Sequence, residues 1–171
     1  MKIDINKLEF KKINENISLI YHDNKTLRFW TPLILVPFGI DNEYNKYLLK
    51  LEIDDKIDEH VHLKKIILHI ENLIKKKLDI SDLEFKSVIK YRENNSDLIE
   101  PRLKSIKNNI TTIIDFEDKE NNYLKTIFDI KKQNYYKVQL EINGFWDYRN
   151  EKKERNKSGL IVYVTKIIVP K

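Results

Sequence analysis

Only one segment of this 171-residue chain has the apolar spacing of an α-helix, whereas most other apolar stretches have the pattern of β-strands. The helical segment covers about residues 56–78. Asp54 and Asp55 precede it as candidate N-caps, and the three lysines at 75–77 complement the helix dipole at its C-terminus. Its expected buried stripe consists of Leu63, Ile66, Ile67, Ile70, Leu73 and Ile74.

The clearest strand pattern lies within residues 135–145. Tyr136, Val138, Leu140 and Ile142 alternate there with polar or charged side chains. This alternation is typical of a strand with one buried face and one solvated face.

A turn is predicted at residues 22–25, because β-branched, aromatic and other apolar residues flank it on both sides. The flanking segments 17–21 and 26–30 are therefore expected to pair as a β-hairpin. A further short strand, 33–36, lies between two prolines, whose missing N–H groups favour a place at a sheet edge. The remaining predicted strands are residues 47–53, 85–92, 102–106, 110–116, 135–145 and 160–169.

Short strands around a single helix favour a mainly β fold, an OB-like (oligonucleotide-binding) Greek-key antiparallel barrel with one central α-helix at about 56–78. No repeat, low-complexity tract or flexible linker divides the chain. We therefore expect a single OB-like domain over residues 1–171. The polar residues 1–14 are expected to form an N-terminal arm or an edge segment.

The composition excludes several classes of site. The chain has no cysteine, which excludes a disulfide scaffold, a cysteine-ligated zinc site and a thiol enzyme. It also lacks the glycine-rich phosphate-binding motifs and the nucleophile and metalloprotease motifs. His60 and His62 begin the helix but do not share a face, and no second cluster supplies further ligands. We therefore expect no enzyme, no metal and no cofactor.

Positive charge is concentrated in the second half of the chain. The formal net charge is +5, and residues 84–171 contain 18 basic and 13 acidic residues, whereas residues 1–83 contain 14 of each. A basic surface attracts polyanions by steering and counterion release, although an ordinary solvated surface can have the same composition. No apolar stretch is long enough to cross a bilayer, and no signal peptide is evident. We therefore expect a soluble, intracellular protein without a membrane partner.

Aromatic and basic residues occur side by side at three places, residues 28–30, 86–92 and 145–157. Single-stranded nucleic acid is bound by rings on which bases stack and by cations beside them. Within 86–92 the three basic side chains are expected to share the face opposite the tyrosine, because side chains alternate along a strand. The candidate stacking residues are Trp30, Tyr91 and Trp146. The candidate phosphate-binding residues are Arg28, Lys86, Lys90, Arg92, Arg102, Lys104, Lys137, Arg149, Lys152, Lys153, Arg155 and Lys157.

Each of these candidates has a structural alternative. Trp30 and Trp146 can equally be core residues, because large aromatic side chains are buried more often than they stack on ligands. The charged loop at residues 150–158 can equally be a solvated turn. Which aromatic rings are exposed decides between these alternatives.

Several short motifs occur in a fixed order around the helix. They are Thr31-Pro32, Val36-Pro37-Phe38-Gly39-Ile40, Pro101-Arg102-Leu103-Lys104, Tyr136-Lys137-Val138-Gln139-Leu140, Gly144-Phe145-Trp146, Gly159-Leu160 and Val164-Thr165-Lys166-Ile167. From about residue 17 onward, the chain resembles a group of small proteins of nucleocytoplasmic large DNA viruses. The resemblance implies an OB-fold protein that binds single-stranded DNA, with little sequence preference, in viral replication, recombination or repair.

The sequence thus predicts a DNA-binding protein without catalytic activity. Its expected partner is single-stranded DNA, with RNA as an alternative, and homo-oligomers and replication or recombination proteins are further expected partners. The alternative function is that of a non-catalytic viral structural or protein–protein interaction protein. If the chain is viral, we expect it in the host cytoplasm or at the viral replication site.

Overall fold

The computed structural model describes residues 4–43, 46–107, 109–117, 126–149 and 155–170, with side chains in the last range from residue 157 onward. These ranges contain one α-helix, α1 (Asp58–Leu78), two 3-10 turns (Ile5–Lys7 and Ile127–Asp129) and 15 strands. The strands are β1 (Leu8–Lys12), β2 (Ile17–His22), β3 (Leu27–Val36), β4 (Ile40–Glu43), β5 (Lys46–Leu49), β6 (Leu51–Ile53), β7 (Phe85–Lys86), β8 (Ile89–Lys90), β9 (Asp97–Ile99), β10 (Arg102–Leu103), β11 (Ser105–Ile106), β12 (Asn109–Ile110), β13 (Ile113–Phe116), β14 (Asn134–Arg149) and β15 (Arg155–Val169).

Helix α1 confirms the helical prediction, although it begins two residues later than expected. The prediction for its N-cap is wrong, because the N-cap is Ile57, which makes no side-chain capping hydrogen bond. The Asp54 carboxylate instead accepts a hydrogen bond from the Lys56 N–H, and Asp55 forms an ion pair with Lys64. A local hydrogen bond therefore occupies the Asp54 carboxylate, and a lysine nearly two turns into the helix occupies that of Asp55.

His60 connects α1 to the sheet. Its buried imidazole accepts a hydrogen bond from the Asp54 N–H at 3.1 Å, and the other ring nitrogen donates to the Leu33 carbonyl oxygen at 3.0 Å. Both ring nitrogens are thus engaged by the backbone, and this histidine has a structural role.

The long antiparallel pair of β14 and β15 lies at the centre of a 13-stranded sheet. On the edge of β14 that faces away from β15, β3 pairs with the first part of the strand and β2 with a later part. On the edge of β15 that faces away from β14, β7, β10 and β13 pair with successive parts of the strand. These last three run parallel to β15, so the sheet is mainly but not wholly antiparallel. The sheet is strongly curled into a half-barrel. The mainly β, OB-like architecture with a single helix is as predicted.

The predicted turn at residues 22–25 is present, but the predicted hairpin is wrong. Asp23 and Asn24 have positive φ angles of 50° and 59°, and His22 and Lys25 form an isolated bridge. Beyond the turn the strands separate, because β2 pairs with β1 and β14, whereas β3 pairs with β14 and β6. The polar N-terminal segment therefore supplies a strand, β1, at the edge of the sheet.

Strand β3 continues through Pro32, where the sequence predicted a break and a separate edge strand. The register between β3 and β14 shifts next to this proline, between Lys137 and Gln139. At the shift the Val138 N–H donates to the Thr31 hydroxyl at 3.0 Å. The side chain thus replaces a backbone acceptor at the irregularity, and one strand of ten residues forms.

The core lies between α1 and one face of the curled sheet, because the alternating apolar residues of β14 and the helix stripe are buried in the same cluster. The largest fully buried aliphatic side chains are Ile20, Ile34, Leu49, Leu51, Ile53, Ile70, Ile74, Ile99, Leu140, Ile142 and Ile167.

Within the described residues, no helix is both long and apolar enough to cross a membrane.

Candidate nucleic-acid interface

The face of the sheet that points away from the core, here called the outer face, carries most of the predicted binding residues. Gln139 and Glu141 of β14 lie on it, because they alternate with buried core residues. A register shift between Ile142 and Gly144 changes which residues point outward. Beyond the shift Phe145 is buried in the core, and its neighbours in the strand point outward.

At one end of the outer face, four directly paired residues form a row across four strands, the groove row: Ile17, Trp146, Gly159 and Lys86. Trp146 is half-buried and lies against Gly159. A Cβ atom at position 159 would lie 2.9 Å from Cζ2 of this indole and 2.8 Å from the Lys86 carbonyl oxygen. Because Gly159 has no side chain, the indole of Trp146 can lie against the backbone of β15, between β14 and Lys86.

Tyr148 extends this aromatic surface. Its ring centroid lies 5.3 Å from that of Trp146, with an angle of 43° between the ring planes, and it is 57% exposed. Lys157 lies directly opposite it on β15 and is exposed. A tilted pair of rings beside a cation is a suitable surface for stacking bases.

These rings border a groove of about 530 Å³ in the outer face. Four cationic side chains line it, together with Glu43 and Glu100. The cations are Lys46, Lys86, Lys90 and Arg102.

A second section of about 470 Å³ shares Lys46 and Arg102 with the first, so the two sections form one groove. Tyr47 and Tyr163 line this second section. Tyr47 also packs edge-to-face on Phe128, with ring centroids 5.2 Å apart. The whole groove thus has aromatic side chains in both sections and basic side chains between them.

The groove cations differ in their ion pairing. Lys90 forms an ion pair with Glu100. Lys46, Lys86 and Arg102 have no ion-pair partner among the residues that the structure describes. These three side chains are therefore available for phosphate groups.

A second row, the central row, crosses the middle of the outer face through Arg28, Glu141, Tyr163 and Arg102. The Glu141 side chain is 0% exposed, and its carboxylate contacts Arg28 Nε at 2.5 Å and Lys104 Nζ at 2.7 Å. Burial alone would raise the pKa of Glu141, but the hydrogen bonds and charges of Lys104 and Arg28 outweigh it and lower the pKa. Two predicted phosphate ligands are thus already bound to a carboxylate.

Trp30 lies next to the central row, opposite Gln139, on the side away from the groove row. It is 38% exposed, and Lys137 Nζ lies 6.0 Å from the centroid of its ring system. Trp146 follows Gln139 by seven positions, which correspond to roughly 20 Å along β14. The structure therefore separates the two predicted tryptophans, although both are on the same face.

Tyr91 and Arg92 do not line the groove. The predicted 85–92 strand is wrong, because it is interrupted between β7 and β8. Tyr91 is 64% exposed and lies against Lys64 of α1, with Nζ 5.3 Å from the ring centroid. Arg92 donates to the Ser96 carbonyl oxygen at 2.6 Å and to Glu52 at 3.2 Å. Arg92 therefore has a local structural role.

The predicted basic loop is only partly described. Lys152 and Lys153 lie outside the described residues, as does the Arg155 side chain. Arg149 forms an ion pair with Asp147 at 3.0 Å and lines a small depression outside the groove. Of this loop, Lys157 alone among the described side chains faces the aromatic pair.

Glu71 is buried in the core and binds two residues that line the groove. This buried carboxylate of α1 accepts hydrogen bonds from the Val88 N–H at 2.8 Å and the Ser87 hydroxyl at 3.1 Å. Burial raises its pKa, and the two hydrogen bonds and Lys75 only partly offset this. Ser87 and Val88 line the groove, so the helix helps to position it.

Sequence reasoning missed Tyr148, Tyr163 and Lys46. Tyr148 could have been found, because it is two positions from Trp146 on the same strand and so shares its face. Nothing local marks Lys46 or Tyr163, since only strand pairing brings them beside Arg102. Among the described residues, no group of three or more histidine, aspartate or glutamate side chains could hold a metal ion.

Comparison with known proteins gives fold similarity only. No family model and no curated protein sequence matches the chain. The fold is similar to gp2.5, a single-stranded DNA binding protein encoded by bacteriophage T7, with 8% identity and a TM-score of 0.50 over 85% of this chain and 87% of that one. It is also similar to the single-stranded DNA-binding protein from bacteriophage Enc34, C-terminal truncation, with 15% identity and a TM-score of 0.50 over 97% and 96% of the two chains. The chain therefore has the OB-type fold found in these two phage proteins.

Proposed function

We propose that this protein binds single-stranded DNA with little sequence preference and without catalysis. The observation that carries the proposal is the Trp146–Tyr148 ring pair at the border of a groove in which Lys46, Lys86 and Arg102 have no ion-pair partner among the described residues. Rings offer every base a stacking surface, and free cations bind the phosphates between bases. The similarity in fold to two single-stranded DNA-binding proteins of bacteriophages supports the proposal.

In this proposal the strand follows the groove. Bases stack on Trp146 and Tyr148 at one end, and the backbone continues past Lys86 and Arg102 toward Tyr163 in the second section. Roles in viral replication, recombination or repair, and the resemblance to proteins of large DNA viruses, extend the proposal beyond the fold similarity. Binding of RNA and self-association remain predictions.

A fluorescence titration with a single-stranded oligonucleotide tests the proposal. We expect quenching of tryptophan emission and a plot of log affinity against log salt with a slope of about −2, because the three groove cations without an ion-pair partner among the described residues each contribute about 0.7. A binding curve without quenching and without salt dependence would contradict it. Incubation of labelled DNA with the protein and Mg²⁺ should leave the DNA intact.

One observation supports a second function, that of a protein–protein interaction module. Trp30, Leu33 and Tyr135 are exposed on β3 and β14, on the side of the central row away from the groove row. Exposed apolar clusters often mark protein contacts. Sedimentation of the unmodified protein and of the Leu33→Ser/Tyr135→Ser variant tests this function, and a lower mass for the variant, together with no oligonucleotide binding by either protein, would favour it.

A further inference from the structure

We propose that Glu141 is a specificity-determining residue that favours single-stranded over double-stranded DNA by holding two cations of the outer face in ion pairs. This inference rests on the proposed function. It assigns a role in binding to a side chain that itself cannot contact DNA, because it is 0% exposed.

The geometry of the Glu141 carboxylate carries the inference. One carboxylate oxygen contacts Arg28 Nε and the other contacts Lys104 Nζ, at 2.5 and 2.7 Å. Both cationic side chains are partly exposed on the outer face. Each would therefore be able to meet a phosphate if the carboxylate between them were absent.

The position of this cluster connects it to the groove. Arg28 and Glu141 lie in the central row with Tyr163 and Arg102, which both line the groove. Lys104 follows Arg102 by two residues along the chain and reaches the same carboxylate. A nucleic acid in the groove therefore passes beside two cations that are already paired.

The pairing changes which nucleic acid is favoured. Phosphate charge attracts both forms of DNA, and it is denser on the duplex, whereas exposed base faces are offered only by single strands. When charge is removed from the face and the rings remain, attraction to the duplex falls more than attraction to the single strand. The lowered pKa of Glu141 keeps its carboxylate ionised near neutral pH, so the counter-charge is present when DNA binds.

The test compares Glu141→Gln with Glu59→Gln, which changes the net charge equally on an exposed first-turn residue of α1. Each variant is titrated with a single-stranded oligonucleotide and with the corresponding duplex at several salt concentrations. For Glu141→Gln we expect duplex binding to be roughly tenfold tighter than for Glu59→Gln at low salt. We also expect its duplex salt slope to steepen by up to about 1.8, since two freed cations each contribute about 0.9. Its preference for single strands should fall accordingly.

A second variant pair avoids the removal of a buried group. Arg28→Gln changes a partly exposed side chain that is held by Glu141, and Arg102→Gln changes a groove cation without an ion-pair partner among the described residues. Arg102→Gln should reduce the single-strand salt slope by about 0.7, and Arg28→Gln by less than about 0.3. Equal reductions would show that Glu141 does not withhold Arg28 from DNA and would overturn the inference.

The outcomes separate this inference from the proposed function. If the unmodified protein binds single strands but Glu141→Gln and Glu59→Gln bind the duplex equally, the role of Glu141 is refuted and the proposed function stands. If the unmodified protein binds no single strand, the proposed function fails, and the inference about Glu141 fails with it.

Discussion

The groove end and the centre of the outer face contain the same residue types but hold them in different states. At the groove end, Trp146 and Tyr148 are partly exposed, and Lys86 has no ion-pair partner among the described residues. At the centre, Arg28 and Lys104 are both bound to a buried carboxylate. The number of basic residues on a surface therefore overstates its capacity to bind phosphate, because paired cations release fewer counterions.

The largest expected effect distinguishes the two tryptophans of the outer face. Trp146→Ala should weaken binding of a single-stranded oligonucleotide by about 1–3 kcal/mol, because a stacked base loses its ring. The matched control, Trp30→Ala, removes a ring that does not line the groove and should change the affinity by less than about threefold. Equal losses in the two variants, measured by fluorescence anisotropy, would mean that the strand crosses the whole outer face.

A somewhat smaller effect is expected from Gly159→Ala. The added methyl group would lie 2.9 Å from the Trp146 ring and 2.8 Å from the Lys86 carbonyl oxygen. It should displace the ring, which weakens binding by roughly tenfold, or about 1.4 kcal/mol. The double variant Gly159→Ala/Trp146→Phe checks the cause, since a smaller ring leaves room for the methyl group. If the double variant binds more weakly than Trp146→Phe alone, the glycine acts through the backbone and not through the ring.

Removal of a single cation should lower the salt dependence of DNA binding more in the groove than at the centre of the outer face. Lys86→Gln should reduce the slope of log affinity against log salt by about 0.7, because a free cation that meets a phosphate is lost. Lys104→Gln should reduce it by less than half of that amount, since Lys104 is held by Glu141. A larger change for Lys104 than for Lys86 would reverse the comparison.

The smallest effects concern stability as a function of pH, and two buried carboxylates, those of Glu141 and Glu71, should respond in opposite directions. The lowered pKa of Glu141 stabilises the fold above its unfolded value of about 4.3, and this contribution is lost as the pH falls through the lowered value. Glu141→Gln should therefore be less stable than the unmodified protein at pH 7, with the gap narrowing in acid. Denaturant unfolding at pH 3 to 7 measures the difference in unfolding free energy between the two proteins. A difference that grows in acid would contradict the lowered pKa of Glu141.

Glu71 provides the opposite case. Its raised pKa means that ionisation costs stability as the pH rises from about 4.3 through the raised value. Glu71→Gln can still accept the Val88 and Ser87 hydrogen bonds and should gain stability relative to the unmodified protein as the pH rises toward 7. Urea unfolding over the same pH range tests this. A gain that is independent of pH would exclude the carboxylate charge as its cause.

The part of the site that follows from local pattern was predictable. Trp146 and Tyr148 share a face because side chains alternate, and Arg102, Lys86 and Lys90 were identified by their position in strands. The pairing of Arg28 and Lys104 was not predictable, because Glu141 lies 113 and 37 residues away from them in the chain. The position of Tyr91 and Arg92 outside the groove was not predictable either, since an interruption of two residues in the strand has no strong sequence signal.

Periodicity alone determined the helix at about 56–78, the alternation of β14 and the mainly β class, because these depend on interactions between near neighbours. Tertiary structure decided that β2 pairs with β14 and not with β3, and that Lys46 and Arg102 line the same groove. It also decided which cations remain without a carboxylate. Strand partners and ion pairs depend on contacts between distant segments, and the pattern of a single strand does not specify its neighbours.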